Sequence, residues 1–280
     1  MNDQHNGRLT REGIRIHDAA EFDGMRRAGR IAAEILDEIA PHVFPGQTTG
    51  EIDRIITAMV AAKGAVSATI GYKGYQHGSC ISINHVVCHG IPGPKVLKDG
   101  DILNIDVTVI LNGWFGDTSR MYVAGKLPRK AERLIEVTHD ALMLGIEAVR
   151  PGATFGDIGH AIQSYVESHR MSVVRDFCGH GLGRVFHAPP NVLHYGRPGT
   201  GPVLEEGMFF TIEPMVNLGR PETKTLSDEW TAVTRDKSLS AQFEHSVGVT
   251  ATGVEIFTLS PAGLFHPTYA RDAATPHSTA

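Results

Sequence analysis

The chain has 280 residues, 41% hydrophobic and 20% charged, which is enough for one well-packed core and ordinary for a globular protein. Its 31 acidic and 26 basic side chains leave a formal net charge of −5, and Lys and Arg are scattered, so a basic nucleic-acid footprint is excluded. Three cysteines (Cys80, Cys88 and Cys178) with no Cys-x-x-Cys pair argue against a disulfide framework and a thiolate zinc site, and they fit a reducing compartment.

No apolar run approaches the roughly 18 residues of a membrane span, and the polar N-terminus has no signal core. The expectation is a cytoplasmic protein with no membrane association. Residues 1–16 read as a flexible N-terminal tail, 17–265 as one domain, and 266–280 as a flexible C-terminal tail. Helical spacing covers residues 21–42, with Met25, Ile31, Ile35 and Ile39 near one face. Thr49 sits where an N-cap is expected before a second helix over 51–63. Short β-rich pieces follow to Val123, then helices over 129–149 and 155–168, then strands and loops from Ser172 onward.

Comparison of the two parts shows an echo: PGQTTGEI at 45–52 matches PGATFGDI at 151–158. Each block lies between two helical stretches, and each helix pair leads into strands. The pattern predicts two similar α+β halves with pseudo-twofold symmetry and a site at their seam.

Within 101–123 (DILNIDVTVILNGWFGDTSRMYV), Asn112-Gly113 between strand-like runs predicts a two-residue hairpin. That turn pairs Leu111 with Trp114, Thr108 with Asp117, and Asp106 with Ser119. Asp106 and Asp117 then share one face as diagonal neighbours, about 7 Å apart. The opposite face carries Leu103, Ile105, Val107 and Val109 and reads as core. Two carboxylates among Ile110, Phe115 and Met121 repel one another and are costly to desolvate, and a divalent cation would offset both costs. An exposed hairpin face with two unrelated acids is the plainer alternative.

Three further donors stand apart in the sequence. His180 lies in Gly179-His180-Gly181, where close backbone approach is open, although a lone histidine there is commonly structural. Glu213 ends the apolar run 208–212, and Glu244 alternates with Gln242, Ser246 and Gly248 against Phe243, Val247 and Val249. Four carboxylates and one imidazole suit hard or borderline ions, and two ions about 3.5–4 Å apart would use them all.

With these residues assembled, the chain closely resembles type I methionine aminopeptidases. The resemblance is carried by GYKGYQHGSCISINHVVCHGIP (71–92), NIDVTVILNGWFGDTSRMY (104–122), GHGLGRVFH (179–187), TIEPM (211–215) and SLSAQFEHSV (238–247). It implies the α+β pita-bread (creatinase/aminopeptidase) fold: two pseudo-symmetric halves, an antiparallel sheet core and helices outside. It also implies a metal-dependent exopeptidase that removes the initiator methionine from nascent polypeptide N-termini and favours a small second residue. The matching ligands are Asp106, Asp117, His180, Glu213 and Glu244. In the family, the equivalents of Asp117 and Glu244 bridge two divalent ions, for which Co, Mn, Fe, Zn or Ni serve. His89 and His187 match histidines near the scissile bond, and the mechanism expected here gives Glu213 the shuttling of the attacking water's proton. Tyr72, Tyr75, Cys80, Phe186 and Trp230 match the methionine pocket, whose aromatic rings suit a thioether. The resemblance further implies a monomer. A nascent-chain substrate would bring transient ribosome contact, although no motif encodes one.

Four positions depart from the common family pattern: Lys73, His85, Val185 and Ala188. None matches a ligand, so they bear on rate and pocket edges. The chain lacks a zinc-finger-like N-terminal extension, which favours the shorter bacterial or organellar form. Three other readings compete. A cysteine hydrolase is prompted by Cys88-His89, but adjacent strand residues face opposite ways. A proline-specific peptidase of the same fold usually has a large extra N-terminal domain. A non-catalytic binding relative would typically have lost ligands.

Overall fold

Helix α1 (Ala19–Glu38) starts at Asp18, whose carboxylate accepts the N–H groups of Ala20 and Glu21 at 2.9 and 3.0 Å, while Glu21 reaches back to the Asp18 N–H at 3.0 Å. Met25 and Ile35 are fully buried on its inner face, and Ile39 just beyond the helix is buried with them. The helix expected over 21–42 divides in two: a separate 3-10 turn covers Ala40–His42. Pro41 has no N–H to continue the α-helical ladder, and its ring crowds the preceding turn. Helix α2 (Thr49–Ala62) is capped by Thr48, whose hydroxyl accepts the Glu51 N–H at 3.2 Å. The cap thus falls one residue before the expected Thr49, whose own hydroxyl donates to the Gly93 carbonyl at 3.1 Å.

The structure, a computed structural model, describes residues 8–267. After α2 come β1 (Val66–Ser67), a 3-10 turn (Tyr72–Gly74), β2 (Cys80–Ile83), β3 (Val86–Cys88), β4 (Asp101–Leu111) and β5 (Trp114–Ala124). The second half opens with α3 (Arg129–Glu147) and α4 (Phe155–Ser168). Its strands are β6 (Ser172–Val173), β7 (Gly179–Gly181), β8 (Ala188–Val192), β9 (Phe209–Ile212), β10 (Met215–Asn217), β11 (Thr223–Thr225), β12 (Ala232–Thr234), β13 (Ser240–Gln242), β14 (His245–Val249) and β15 (Val254–Ile256).

All strand pairs are antiparallel. The β4–β5 hairpin is flanked by β1 and β2, and a five-stranded sheet runs β15-β14-β9-β7-β8. Hairpin and second sheet meet where Ser119 of β5 bridges Glu244. One apolar cluster fills the space between the hairpin and helices α1 and α2, and it includes Leu103, Ile105, Val107 and Val109 as expected. A second cluster fills the corresponding space under α3 and α4.

The echo in the sequence recurs in the hydrogen bonds. Gly46 N–H donates to Leu97 O at 2.8 Å, and Gly152 N–H to Leu204 O at 3.0 Å. Leu97 N–H returns to Gln47 O at 2.8 Å, and Leu204 N–H to Ala153 O at 2.7 Å. Gly50 then donates to Gly93 O at 2.8 Å, and Gly156 to Thr200 O at 2.9 Å. Each Pro-Gly block is pinned by a partner segment in the same way, as two copies of one unit require.

Residues 8–16, expected to be loose, are largely exposed but anchored through Ile14. Leu9 bridges Arg15, the His17 N–H donates to Gly207 O at 2.8 Å, and Ile14 is 1% exposed within the second core. The apolar Ile14 supplies the anchor that a polar tail would lack. Residues 1–7 and 268–280 of the expected tails lie outside the described residues. Among the described residues no helix is long and apolar enough to cross a membrane.

Candidate metal centre

The hairpin has the register that Asn112-Gly113 predicts: Leu111 opposite Trp114, Thr108 opposite Asp117, and Asp106 opposite Ser119. Asp106 is also paired across β2 with Cys80. The Thr108 hydroxyl donates to Asp117 Oδ1 at 2.7 Å and orients a carboxylate that is only 4% exposed.

Glu244 is held at the seam. Its N–H donates to Ser119 O at 3.1 Å, and its carbonyl accepts the Thr118 hydroxyl at 2.7 Å. The Ser246 hydroxyl donates to Asp117 O at 2.6 Å, and Asn104 Nδ2 bonds both Ser119 Oγ at 3.0 Å and Gln242 O at 2.8 Å. These bonds lock the two sheets together where the carboxylates meet.

His180 and Glu213 come from neighbouring strands and share Thr211. The His180 N–H donates to Thr211 Oγ1 at 3.0 Å, and that hydroxyl donates to Glu213 Oε1 at 2.7 Å. His180 Nδ1 lies 3.1 Å from Gly181 O, which assigns the ring proton to Nδ1 and leaves the Nε2 lone pair facing the cluster. Nε2 is 3.4 Å from Asp117 Oδ2 and 3.8 Å from Glu213 Oε1. The Glu213 N–H donates to the buried His194 Nε2 at 3.0 Å, which fixes the backbone just before Pro214.

Asp117, His180 and Glu244 each offer one donor atom, and these atoms lie within 4.8 Å of one another. Burial, followed by the charge of Asp117, pushes Asp106 and Glu244 well above the usual carboxylate range. Burial pushes Glu213 up to about 7 despite the opposing influence of His180 and Thr211. Burial opposes a raised His180, but Asp117 and Glu213 outweigh it. Four acids and one imidazole so placed can shed their mutual repulsion only by taking up protons or by sharing cations. The donors are oxygen and imidazole nitrogen, so they fit divalent ions of the hard and borderline kind.

Around this cluster lies a cavity of about 740 Å³. All twelve residues singled out in the sequence line it: the five donors, His89, His187, Tyr72, Tyr75, Cys80, Phe186 and Trp230. His89 and His187 have positive φ, 56° and 62°, a strained conformation for a side-chain-bearing residue that concentrates at functional sites. The His187 ring lies 4.2 Å from the His180 ring, and burial followed by that neighbour holds it down to about 4, so it is neutral at pH 7. Burial also lowers His89. Tyr72 packs on Phe186 at 4.9 Å, and Tyr75 packs on Trp230 at 4.9 Å, both between ring centroids. Burial raises the thiols of Cys80, Cys88 and Cys178 alike, which removes the thiolate that a cysteine hydrolase needs.

Sequence reasoning missed Thr108, Thr211, Gln242 and His194, which orient the donors rather than supply them. The first two were within reach: Thr108 stands opposite Asp117 in the hairpin register, and Thr211 is two residues from Glu213 on one strand. His194 gave no signal, because its role depends on a fold-level contact. Among the departing positions, Lys73 places its ammonium 5.3 Å from the Tyr72 ring centre at the cavity wall, Ala188 also lines the cavity, and Val185 is 49% exposed.

The family model described as metallopeptidase family M24 matches residues 23–251. The methionine aminopeptidase of Rickettsia prowazekii is 59% identical over 257 residues, covering 91% of this chain and 99% of that one. The methionine aminopeptidase of Escherichia coli K12 is 54% identical, covering 88% of this chain and 94% of that one. Among solved structures, the Rickettsia prowazekii methionine aminopeptidase superposes with a TM-score of 0.87, covering 88% of this chain and 100% of that one. A prolidase from Pyrococcus furiosus, 21% identical, covers 87% of this chain and 65% of that one with a TM-score of 0.71, and so shares the fold alone.

Proposed function

We propose, from the premise that this chain belongs to the methionine aminopeptidases of metallopeptidase family M24, that it hydrolyses the first peptide bond of polypeptides beginning with methionine. The observation that carries the reading is the meeting of Asp117 from the hairpin with His180 and Glu244 from the other half, their donor atoms within 4.8 Å. In this reading Asp106 and Glu213, which line the same cavity, complete the ligand set. The reading takes two divalent ions there, with Co, Mn, Fe, Zn or Ni all compatible with the donors. When bound, such ions lower the pKa of a water and polarise the substrate carbonyl.

The protein's own groups supply the rest. Glu213, which lines the cavity beside His180, takes a proton from the attacking water and passes it to the leaving amine. Neutral His187 offers a ring N–H to the carbonyl oxygen as charge develops there. His89, which also lines the cavity, hydrogen-bonds beside the scissile bond in this reading. Tyr75, Cys80 and Trp230 receive the methionine side chain, and Tyr72 and Phe186 line the wall beside them. The reading extends to a preference for a small second residue, to a cytoplasmic monomer, and to transient ribosome contact during synthesis of the substrate chain.

A peptide panel tests it. The purified protein should release methionine from Met-Ala-Ser, leave X-Pro peptides intact, and lose activity to a chelator with recovery on adding metal. Cleavage of X-Pro with Met-Ala-Ser untouched would move the reading to a proline peptidase. His187→Ala should slow kcat by about 10–100-fold with metal content unchanged.

A further inference from the structure

The loop of residues 69–79 presents Tyr72 and Tyr75 to the cavity and leads into Cys80, and helix α2 grips it from outside. Asp53 of α2, 8% exposed, accepts the Ser79 hydroxyl on Oδ1 at 2.7 Å and faces His77 Nδ1 with Oδ2 at 3.3 Å. Both carboxylate oxygens are thus spent on the loop, while the cap of α2 is supplied by Thr48. Ser79 is fully enclosed, and its carbonyl accepts the Tyr75 hydroxyl at 2.9 Å. The His77 carbonyl accepts the Thr69 hydroxyl at 2.7 Å, and the His77 ring meets the edge of Tyr75 at 5.7 Å. Between them, Gly78 lies so close to α2 that a Cβ there would sit 2.3 Å from Thr57 Oγ1.

One carboxylate outside the cavity therefore fixes Ser79 and His77, two of the groups that orient Tyr75 alongside Trp230 and the Gly90 carbonyl, which lies 3.4 Å from its hydroxyl. Cys80 is held separately, by its strand pairing with Asp106. Movement of the loop would shift Tyr72 and Tyr75 against a stationary Cys80 and leave the metal ligands in place.

We propose that Asp53 is a positioning residue which, through Ser79 and His77, sets the depth of the side-chain cup and so the selectivity for methionine. The proposal rests on the methionine-removing activity argued above. A buried carboxylate that only stabilised the fold would change melting behaviour without touching selectivity.

The test is steady-state kinetics on Met-Ala-Ser and on the same peptide with norvaline first, with metal content measured alongside. Asp53→Ala should raise KM for Met-Ala-Ser about tenfold, keep kcat within about twofold, and shrink the methionine-over-norvaline ratio of kcat/KM about fivefold. Asp53→Asn, which keeps an acceptor for Ser79, should recover most of both. Ser79→Ala should fall between, and it decides the matter if Asp53→Ala does not fold. A folded variant with wild-type KM and ratio would overturn the proposal, as would a drop confined to kcat with loss of metal. Inertness of the unaltered protein on Met-Ala-Ser would overturn the activity reading and the proposal with it, and that control separates the two failures.

Discussion

The two halves of the molecule begin their second helices with matching hydrogen bonds, Gly50 on Gly93 and Gly156 on Thr200, yet bring donors to the seam by different means. The first half places Asp106 and Asp117 on one hairpin, eleven positions apart in sequence and set by a single turn. The second half gathers His180, Glu213 and Glu244 from β7 and from the segments beside β9 and β14, and relies on Thr211, Gln242 and seam bonds to aim them. Duplicated architecture thus leaves each copy free to specialise. A hairpin needs few supports, whereas a convergence of separate strands needs many.

The comparison can be broken most severely at its meeting point. Glu244→Ala removes one of the three donor groups that meet within 4.8 Å at the seam. Its kcat/KM for Met-Ala-Ser should fall by about a thousandfold, or ~4 kcal/mol of transition-state stabilisation. Metal content measured on the same sample should fall as well; full activity would contradict the seam-held site.

A smaller effect separates the two helix starts. A Cβ on Gly156 would come within 2.4 Å of the Arg197 carbonyl and the Thr200 hydroxyl, whereas one on Gly50 would stop 3.0 Å from the Gly93 carbonyl. Gly156→Ala should cost about 3 kcal/mol and Gly50→Ala about 1 kcal/mol or less, as read by urea unfolding. Equal costs would mean that the two starts are packed more alike than their contacts indicate.

The smallest effect concerns pH in the metal-free protein. Asp106, Glu213 and Glu244 all have raised pKa values, so the folded state binds protons that the unfolded state has already released. The stability this gives is present at low pH and is lost as pH rises through the folded values; a raised His180 acts in the same direction. Burial depresses His187 to about 4 and His194 and His245 to about 3, and lowers His17, His89 and His139, all with the opposite sign; those contributions are half gained at pH 6.5 and complete only above about pH 7.5. Between pH 7.5 and 9, where the histidine contributions are already complete, the chelator-treated protein should therefore lose stability, and divalent metal should flatten that slope. A metal-free protein that grows more stable over this window would rule out the crowded-carboxylate account.

The same contrast governs what was legible in the sequence. Asn112-Gly113 and strand alternation gave the hairpin register residue by residue, because both are local. The Pro-Gly echo announced the duplication, and α4 falls where helical spacing placed it, at Phe155–Ser168. The second half could not be assembled from spacing. Each of His180, Glu213 and Glu244 taken alone read as an ordinary structural histidine or strand charge; only their sum with the Asp pair suggested an ion site, and the family resemblance supplied their meeting point. Pro41 ended α1 earlier than its apolar periodicity suggested, and buried Ile14 tied down a segment that its polar neighbours made look loose.

The most direct test of a two-ion site built from both halves is an anomalous-difference map from crystals grown with manganese. The account predicts two peaks about 3.5–4 Å apart, one nearer Asp106 and the other nearer His180 and Glu213, with Asp117 and Glu244 touching both. A single peak, or peaks away from these five side chains, would contradict it.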